Sequence, residues 1–212
     1  MQLAIVLYEG FTALDAIGPY QTLSPLPDAE TVFVAESPGP VSDDSGNLTL
    51  VAKKALAEVP RPDLVVVPGG PPRNVEPQMR NEALLGWLRA ADATSAWTTS
   101  VCTGSLILAA AGLLTGRRAT SHWLSLEAIK EFGVEPTGER VVFDGKYVTA
   151  AGVSSGIDMG LTLAGRIAGD TYAQGIQLMA EYDPQPPYDA GSPEKAPAEL
   201  VAKFRNEFSS LG

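Results

Sequence analysis

A lone cysteine, Cys102, stands where a strand-like run meets a helix-like run. Ala96–Val101 has the character of a β-strand, and Leu106–Leu114 is strongly apolar and helix-like. We predict that Cys102 is a nucleophile at a strand-to-helix elbow, because the helix dipole and its unpaired amides favour a thiolate there. This placement predicts a thiol pKa below the free value of about 8.5. The alternative, common for lone cysteines, is a thiol buried as a small apolar group.

Glycines near Cys102 and after an earlier strand-like run could complete a site for negative charge. The amides after Cys102 can hold developing charge, and Gly104 lets the chain turn without a Cβ clash. Gly69 and Gly70 end the apolar run Asp63–Val67, so their amides could face the same pocket as an oxyanion or substrate-positioning site. A tight turn that needs positive φ explains the same two glycines without any chemistry.

Two further titratable side chains are candidates for proton transfer. Asp15 follows the first strand-like run inside the apolar stretch Phe11–Pro19. It is either a helix N-cap or a proton donor in a dry pocket. His122 could act as a base for Cys102, but a histidine beside Trp123 is more often packed or hydrogen-bonded locally. We therefore interpret His122 as a structural or supporting residue.

Strand-like and helix-like runs alternate along the chain. The predicted strands are Gln2–Tyr8, Thr31–Glu36, Asp63–Val67 and Ala96–Val101, with hairpins over Val41–Val51 and over Arg140–Phe143 with Tyr147–Ala150. The predicted helices are Thr12–Leu23, Pro77–Ala91, Leu106–Leu114, Leu124–Phe132, Gly156–Ile167 and Thr171–Tyr182. This order predicts an α/β fold, a flavodoxin-like sandwich with a mostly parallel central sheet and helices on both faces. Ligands of such sheets bind at the carboxyl ends of the strands, where the elbow lies.

Composition and charge exclude several classes of function. The net charge is −10 and the sequence has no Lys/Arg cluster, so nucleic acid is not an expected partner. No stretch approaches the roughly 20 apolar residues of a membrane span. With one cysteine and one histidine, neither an internal disulfide nor a Cys/His zinc cluster is possible. The N-terminus lacks the features of a signal peptide, so we expect a cytoplasmic protein with a free thiol.

The C-terminal part of the chain differs from the rest. Residues 1–182 show no composition break and predict one domain. Asp183–Pro197 is rich in proline, and an amphipathic helix is predicted from Ala198 to Phe208. We interpret residues 183–212 as an arm that packs on the domain or on a dimer partner, because a terminal apolar face must be buried. Leu200 and Phe204 are expected to be buried outside the α/β core.

Several of these motifs together resemble the ThiJ/PfpI superfamily of class I glutamine amidotransferase-like proteins. The resemblance covers nearly the whole chain and is closest to the bacterial isocyanide hydratases. The motifs that carry it are Leu14-Asp15, Gly18-Pro19, Val67–Gly70, Ser100–Ser105, Ala119–Trp123, Gly152–Asp158, Tyr182 and Pro186–Pro193. Two of them, Ala119–Trp123 and Gly156–Asp158, also resemble the amidase-like domains of AraC-type transcription regulators.

The resemblance implies a catalytic set. Isocyanide hydratases use a cysteine, the threonine directly after it and an aspartate after the first strand, which correspond here to Cys102, Thr103 and Asp15. PfpI-like proteases and several glyoxalase-like relatives have a histidine directly after the cysteine, and deglycase-like members have a glutamate in place of Asp15. These differences favour a hydratase over a protease. Pro71–Arg73 replaces a more glycine-rich run, which predicts a different pocket rim.

The resemblance also implies a reaction, the hydration of an isocyanide to an N-substituted formamide through a covalent thioimidate. Cys102 would attack, Asp15 would supply a proton, Thr103 would position water, and the amide of Gly70 would face the new charge. The resemblance also implies a homodimer, and it implies neither a metal nor an organic cofactor. The alternatives are a ligand-sensing regulator, a redox-responsive protein and a glyoxalase-like enzyme.

Overall fold

The computed structural model describes the backbone of residues 1–209 and the side chains of residues 1–207. A seven-stranded sheet forms its centre, with strand order β10-β11-β7-β6-β1-β2-β5. All neighbouring strands are parallel except β10 and β11. The strands are β1 Gln2–Val6, β2 Glu30–Ala35, β3 Gly39–Ser42, β4 Thr49–Ala52, β5 Lys54–Ala55, β6 Leu64–Val67, β7 Trp97–Val101, β8 Arg118–Ala119, β9 Glu135–Pro136, β10 Val141–Asp144 and β11 Tyr147–Ala150.

Two groups of helices pack around this sheet. The helices are α1 Ala13–Leu23, α2 Pro72–Gln78, α3 Glu82–Asp92, α4 Gly104–Ala110, α5 Ser155–Ala168, α6 Asp170–Met179 and α7 Ala198–Ser209. Helix α5 packs against α1 and α6, whereas α4 packs against α2 and α3, and both α1 and α4 contact sheet strands. The predicted mostly parallel α/β fold is therefore confirmed.

The central strands are apolar because both faces of the sheet are covered. All four residues of β6 are buried, as a continuous run of valines and leucine predicts for such a strand. The strand order places β6 between β1 and β7. The segments that follow β1, β6 and β7 therefore meet at one edge of the sheet.

Both predicted hairpins are confirmed. Strands β3 and β4 pair antiparallel, with Ser42 opposite Thr49, and Gly46 in the turn has a φ of 72°. Strands β10 and β11 pair with Asp144 opposite Tyr147, and Gly145 has a φ of 61°. Glycine suits both turns because it adopts positive φ without a steric cost.

Three predicted helices differ from the structure. The helix over Pro77–Ala91 is wrong, because α2 ends at Gln78 and Asn81 starts α3 by accepting hydrogen bonds from the amides of Ala83 and Leu84. Leu124–Phe132 is also wrong as one α-helix, since Trp123–Ser125 and Ala128–Phe132 are separate 3₁₀ segments. The helix after the elbow ends early, at Ala110, close to the positive φ of Gly112.

The C-terminal part is an extended segment followed by α7. Leu200 is 38% exposed and Phe204 is 45% exposed in the single chain. The burial of Leu200 and Phe204 therefore stays a prediction. The division of the chain at residue 182 also stays a prediction. Within residues 1–209 no helix is long and apolar enough to cross a bilayer.

Candidate active site

Cys102 occupies a strained elbow between β7 and α4. Its φ is 58°, in the left-handed region that costs a non-glycine residue about 1–3 kcal/mol. The surrounding hydrogen bonds hold this conformation, since the Cys102 amide donates to the carbonyls of Ala150 and Ala151 at 3.0 and 2.8 Å. The Ser121 hydroxyl donates to the Cys102 carbonyl at 3.2 Å. The elbow is therefore built to present this one side chain.

Two glycines let the turns after β6 and β7 pack against each other. A Cβ on Gly104 would lie 2.2 Å from the carbonyl oxygen of Val67, and a Cβ on Gly69 would lie 2.5 Å from Oγ1 of Thr103. Real Cβ atoms do not approach other atoms so closely, and backbone blocks both positions, since a Cβ on Gly69 would also lie 2.6 Å from the Thr103 amide nitrogen. Only glycine fits at Gly104 without moving the elbow.

Asp15 is wholly buried, and its carboxyl interacts with the Cys102 thiol by a hydrogen bond. Asp15 lies in the first turn of α1, and Thr12 is the N-cap of this helix. The side chain of Asp15 binds the turn after β6 instead of the helix amides. Oδ2 accepts a hydrogen bond from the Gly69 amide at 3.0 Å, and Oδ1 has no conventional partner among the described side chains. Burial raises the pKa of Asp15 to about 7, although the Gly69 amide and the Cys102 thiol partly oppose this rise.

The predicted low pKa of the Cys102 thiol is wrong. The side chain is only 6% exposed, and burial raises its pKa to about 12, with a further contribution from the charge of Asp15. Hydrogen bonds to the sulfur from the amides of Thr103 and Val153 oppose the rise. Loss of hydration and a neighbouring acid therefore outweigh the helix terminus.

Asp15 and Cys102 form one titrating unit. Each influences the pKa of the other, and their pKa values lie at about 7 and about 12. Between these limits the pair holds a single proton, which belongs to both side chains jointly. A pair in this state supplies a sulfur nucleophile and a transferable proton at the same place.

Replacing Asp15 by asparagine should make stability less dependent on pH. The folded pKa of Asp15 lies near 7 against an ordinary 3.8, so its stabilising contribution is complete below pH 3.8 and is lost as the pH rises to about 7. The ionised group costs about 4 kcal/mol at pH 8, at about 1.4 kcal/mol per pKa unit. In the asparagine variant this cost is absent, but the partly unpaired side-chain amide costs about 1–3 kcal/mol and so offsets part of the gain.

We therefore expect urea unfolding to show Asp15→Asn more stable than the wild type by about 1–3 kcal/mol at pH 8. As the pH falls toward 4 the difference should shrink and then reverse, because the protonated carboxyl no longer destabilises the wild type while the asparagine keeps its partly unpaired amide. A constant difference across this range would show that Asp15 is ionised throughout.

Thr103 and the two glycines after β6 are joined by hydrogen bonds. Oγ1 of Thr103 accepts from the Gly70 amide at 2.9 Å and donates to the Gly70 carbonyl at 2.7 Å. The Gly69 amide is engaged by Asp15. The sequence predicts that these glycine amides stabilise charge or position substrate and that the Thr103 hydroxyl positions water. Each of these roles needs a free hydrogen-bonding group, so the observed arrangement does not favour the predicted roles. The amides that face the sulfur belong to Thr103 and Val153.

Sequence reasoning missed Tyr8 and Val153. The buried Tyr8 hydroxyl donates to the carbonyl of Pro68 at 3.0 Å and so braces the turn that holds Asp15. Burial raises the pKa of Tyr8 well above its ordinary value, and the charges of Asp15 and Cys102 raise it further. A tyrosine at a strand end carries no sequence signal of its own, and neither does the amide of Val153.

His122 lies near the site but is poorly arranged to act as a base. Its Nδ1 accepts a hydrogen bond from the Leu124 amide at 3.4 Å, and its ring packs against Trp123 with centroids 5.9 Å apart. Burial lowers the pKa of His122. The neutral ring then carries its proton on Nε2, which leaves no acceptor nitrogen for the thiol proton of Cys102.

We expect His122→Asn to keep turnover within about tenfold of the wild type, whereas loss of a general base costs about 10²–10⁴-fold. Steady-state kinetics on the two folded proteins measures this, with circular dichroism as the control. A loss as deep as that of Cys102→Ala would show that His122 is the base.

A cavity of about 520 Å³ lies next to the elbow. Val153, whose amide faces the sulfur, forms part of its wall together with His122 and Trp123. Its outer side comes from the C-terminal part of the chain, at Gly191–Glu194 and Arg205. The volume falls in the range of small-molecule sites.

The fold and the cysteine elbow together define a class of α/β protein, and residues 1–166 match the DJ-1/PfpI family. The chain belongs to this family. It is 41% identical to isonitrile hydratase of Pseudomonas putida over 205 residues. These aligned residues make up 97% of this chain and 89% of that protein. A ThiJ/PfpI family protein from Pseudomonas syringae superposes with a TM-score of 0.95 at 37% identity, over 99% of this chain and 86% of that one.

A regulator is also similar to part of the chain. The HTH-type transcriptional regulator CdhR of Pseudomonas aeruginosa is 37% identical over 148 residues, which are 68% of this chain and 42% of the regulator. The similarity to the hydratase is therefore both higher and more extensive. Among the described residues, no group of three or more His, Cys, Asp or Glu side chains is placed to hold a metal ion.

Proposed function

We propose that this protein is an isocyanide hydratase, which converts R–N≡C and water to the formamide R–NH–CHO. The observation that carries the proposal is the buried Cys102–Asp15 pair, in which burial raises the pKa of the acid to about 7 and that of the thiol to about 12. The similarity to isonitrile hydratase over 97% of the chain supports the same reaction.

The first step adds sulfur and hydrogen to the same carbon. The terminal carbon of an isocyanide accepts a nucleophile and must also gain a proton. As the S–C bond forms, the Asp15 carboxylate takes the thiol proton and passes it to that carbon. The product is a thioimidate, R–N=CH–S, on Cys102, and Asp15 is again ionised. Nucleophilic and proton-transfer roles are thus divided between the two side chains.

The second step adds water and releases the formamide. Water adds to the thioimidate carbon while Asp15 takes its proton and delivers it to the nitrogen. The resulting hydroxyl then loses its proton to Asp15 as the C–S bond breaks. The sulfur and Asp15 are left with one shared proton, which is the starting state. Every step balances with Cys102, Asp15 and water, so this route requires no metal or organic cofactor.

The substrate cavity in this proposal is the one bounded by Val153 and Trp123. Trp123, Leu126 and Val153 supply the apolar part of its lining, on which a hydrocarbon substituent on nitrogen can pack. The amides of Thr103 and Val153 can stabilise charge on the sulfur as the C–S bond breaks.

We further propose a cytoplasmic homodimer. A catalytic free thiol is best preserved in a reducing compartment. Helix α6 carries Leu178 and Met179, which are 76% and 85% exposed, beside the partly exposed Tyr172. An apolar surface of this kind is typical of an interface between subunits.

A redox-sensing role fits this site less well. Sensor cysteines have a low pKa and are accessible to solvent. Cys102 is buried, and burial raises its pKa to about 12. The site therefore favours an attack on a bound substrate over reaction with dissolved oxidants.

The rate should follow the ionisation of Asp15. We expect kcat/KM to rise with pH through about 7 and then to level off, because the doubly protonated pair has no group to accept the thiol proton. Below the midpoint the slope should approach a factor of ten per pH unit. A profile centred near pH 4 would mean that Asp15 has an ordinary pKa and does not act as proposed.

Incubation with an aryl isocyanide at pH 8 tests the function itself. Chromatography should detect the matching formamide at a rate that scales with protein, and Cys102→Ala should release none above the buffer background. If neither aryl nor alkyl isocyanides give formamide, the proposed function is wrong.

A further inference from the structure

The C-terminal part of the chain forms one side of the cavity that Val153 borders, and the amide of Val153 hydrogen-bonds the Cys102 sulfur. The inner wall comes from the α/β core at His122, Trp123 and Val153, whereas Gly191–Glu194 and Arg205 form the outer wall. We call this outer set the C-terminal wall. Because the amide of Val153 faces the sulfur, a group that extends from the reacting carbon into the cavity approaches the C-terminal wall.

Hydrogen bonds fix the segment where it leaves the core. The Tyr182 hydroxyl donates to Oδ1 of Asp158 at 2.8 Å, and Arg140 forms an ion pair with the same carboxylate. Arg140 also donates to Oγ of Ser154 at 3.2 Å, and both of these residues border the cavity. The start of the C-terminal segment is therefore tied to the cavity rim.

The segment itself is folded where it borders the cavity. The amides of Lys195 and Ala196 both donate to the carbonyl of Ser192, at 3.1 and 2.9 Å. Lys195 also pairs with Asp189 at 2.7 Å. These bonds form a turn in the part of the segment that borders the cavity.

Arg205 connects helix α7 to the core side of the cavity. Its guanidinium lies 5.8 Å from the centroid of the Trp123 ring, a separation at which a cation is attracted to an aromatic face. Helix α7 and the turn at Ser192 thus bound the cavity from the same side.

We propose that the C-terminal wall determines which isocyanides the enzyme accepts. The inference rests on the proposed function and adds a specificity element to it. The reacting carbon must lie at Cys102, so a small substituent contacts mainly Val153 and His122. A bulky substituent fills the cavity and meets Ser192 and Arg205. The wall therefore discriminates by the size of the group on nitrogen.

Two variants that change the wall in opposite directions test this. Arg205→Ala enlarges the cavity, and Ser192→Phe fills part of it. Lys203→Ala is the matched control, because this exposed residue lies on the same helix and pairs with Glu207 outside the cavity. The readout is the ratio of kcat/KM for a bulky aryl isocyanide to that for a small alkyl isocyanide.

We expect the ratio to rise about tenfold in Arg205→Ala and to fall about tenfold in Ser192→Phe, since one methylene-sized difference in a pocket is worth about 10–200-fold. Lys203→Ala should leave it unchanged. Ratios equal to the wild type in both folded wall variants would overturn the proposal.

Alkylation of Cys102 separates this proposal from the proposed function. Iodoacetamide is a small probe and N-phenylmaleimide a bulky one, and neither requires turnover. Their relative rates at alkaline pH should shift in the same directions as the kinetic ratios. If these rates shift but no isocyanide is hydrated, the wall is confirmed and the function is wrong. If isocyanides are hydrated and neither ratio shifts, the wall has no role in specificity.

Discussion

Asp15→Asn is expected to lose about 10²–10⁴-fold in isocyanide turnover, because positioned proton transfer contributes that much to a rate. Asparagine keeps the shape of the side chain and can still accept the hydrogen bond from the Gly69 amide. It cannot take the thiol proton from Cys102 or deliver it to the isocyanide carbon. Both steps of the proposed reaction pass a proton through this carboxyl, so kcat and kcat/KM should fall together.

Two controls isolate the proton-transfer role of Asp15. Asp15→Glu keeps the acid but moves it by one methylene, so it should recover part of the turnover that the asparagine variant loses. Iodoacetamide should still label Cys102 in Asp15→Asn, because the elbow does not depend on the carboxyl. Near-normal hydration by Asp15→Asn would show that the carboxyl only supports the turn after β6.

Cys102→Ala should lose turnover by more than about 10⁴-fold, since no other group can form the covalent intermediate. Cys102→Ser should be nearly as inactive, because a buried hydroxyl is a much weaker nucleophile than a thiol that can pass its proton to Asp15. The loss of turnover in each variant is measured from formamide release, at a protein concentration high enough to exceed the uncatalysed background.

The fold of the Cys102 variants can be checked separately. The left-handed φ of 58° at this position is imposed by the backbone bonds to β11, which alanine and serine retain. Thermal unfolding should therefore remain cooperative in both. Turnover by a folded Cys102→Ala variant comparable to that of the wild type would exclude covalent catalysis.

The elbow and its partner acid could be predicted from sequence because they depend on local pattern and on strand order. Cys102 follows one buried strand and Asp15 follows another, and parallel strands bring such ends to the same edge of a sheet. Strand β6 lies between these two, so the Pro68-Gly69-Gly70 turn lies between the nucleophile and the acid. The local pattern predicts Cys102 as a nucleophile, whereas for Asp15 the resemblance to a family favours the proton donor over the helix N-cap.

The electrostatics of the site could not be predicted in the same way. The helix terminus is visible in the sequence and favours a thiolate, but the burial of Cys102 depends on how distant segments pack. The sequence predicts that the amides of Gly69 and Gly70 face the substrate, and no local pattern indicates that Asp15 and Thr103 engage them. The Val153 amide reaches the sulfur only through the packing of the turn before α5.

The C-terminal segment illustrates a similar limit. Its prolines predicted an extended arm, but sequence could not say what the arm would cover. In the structure it borders the cavity beside Val153 and Trp123. The hydrogen bond from Tyr182 to Asp158, 24 positions apart, ties the start of this segment to the core and has no local sequence signal.

Rapid-quench mass spectrometry is the most direct test of the central claim that Cys102 and Asp15 add an isocyanide covalently to the protein. With protein in excess over an aryl isocyanide, the Cys102 peptide should gain the mass of one whole isocyanide molecule, because the shared proton stays in the adduct. This species should appear before the formamide and decay as the formamide forms, and it should be strongly reduced in Asp15→Asn. Formamide released at the wild-type rate by Cys102→Ala, with no adduct on the wild-type peptide at any time, would contradict the account.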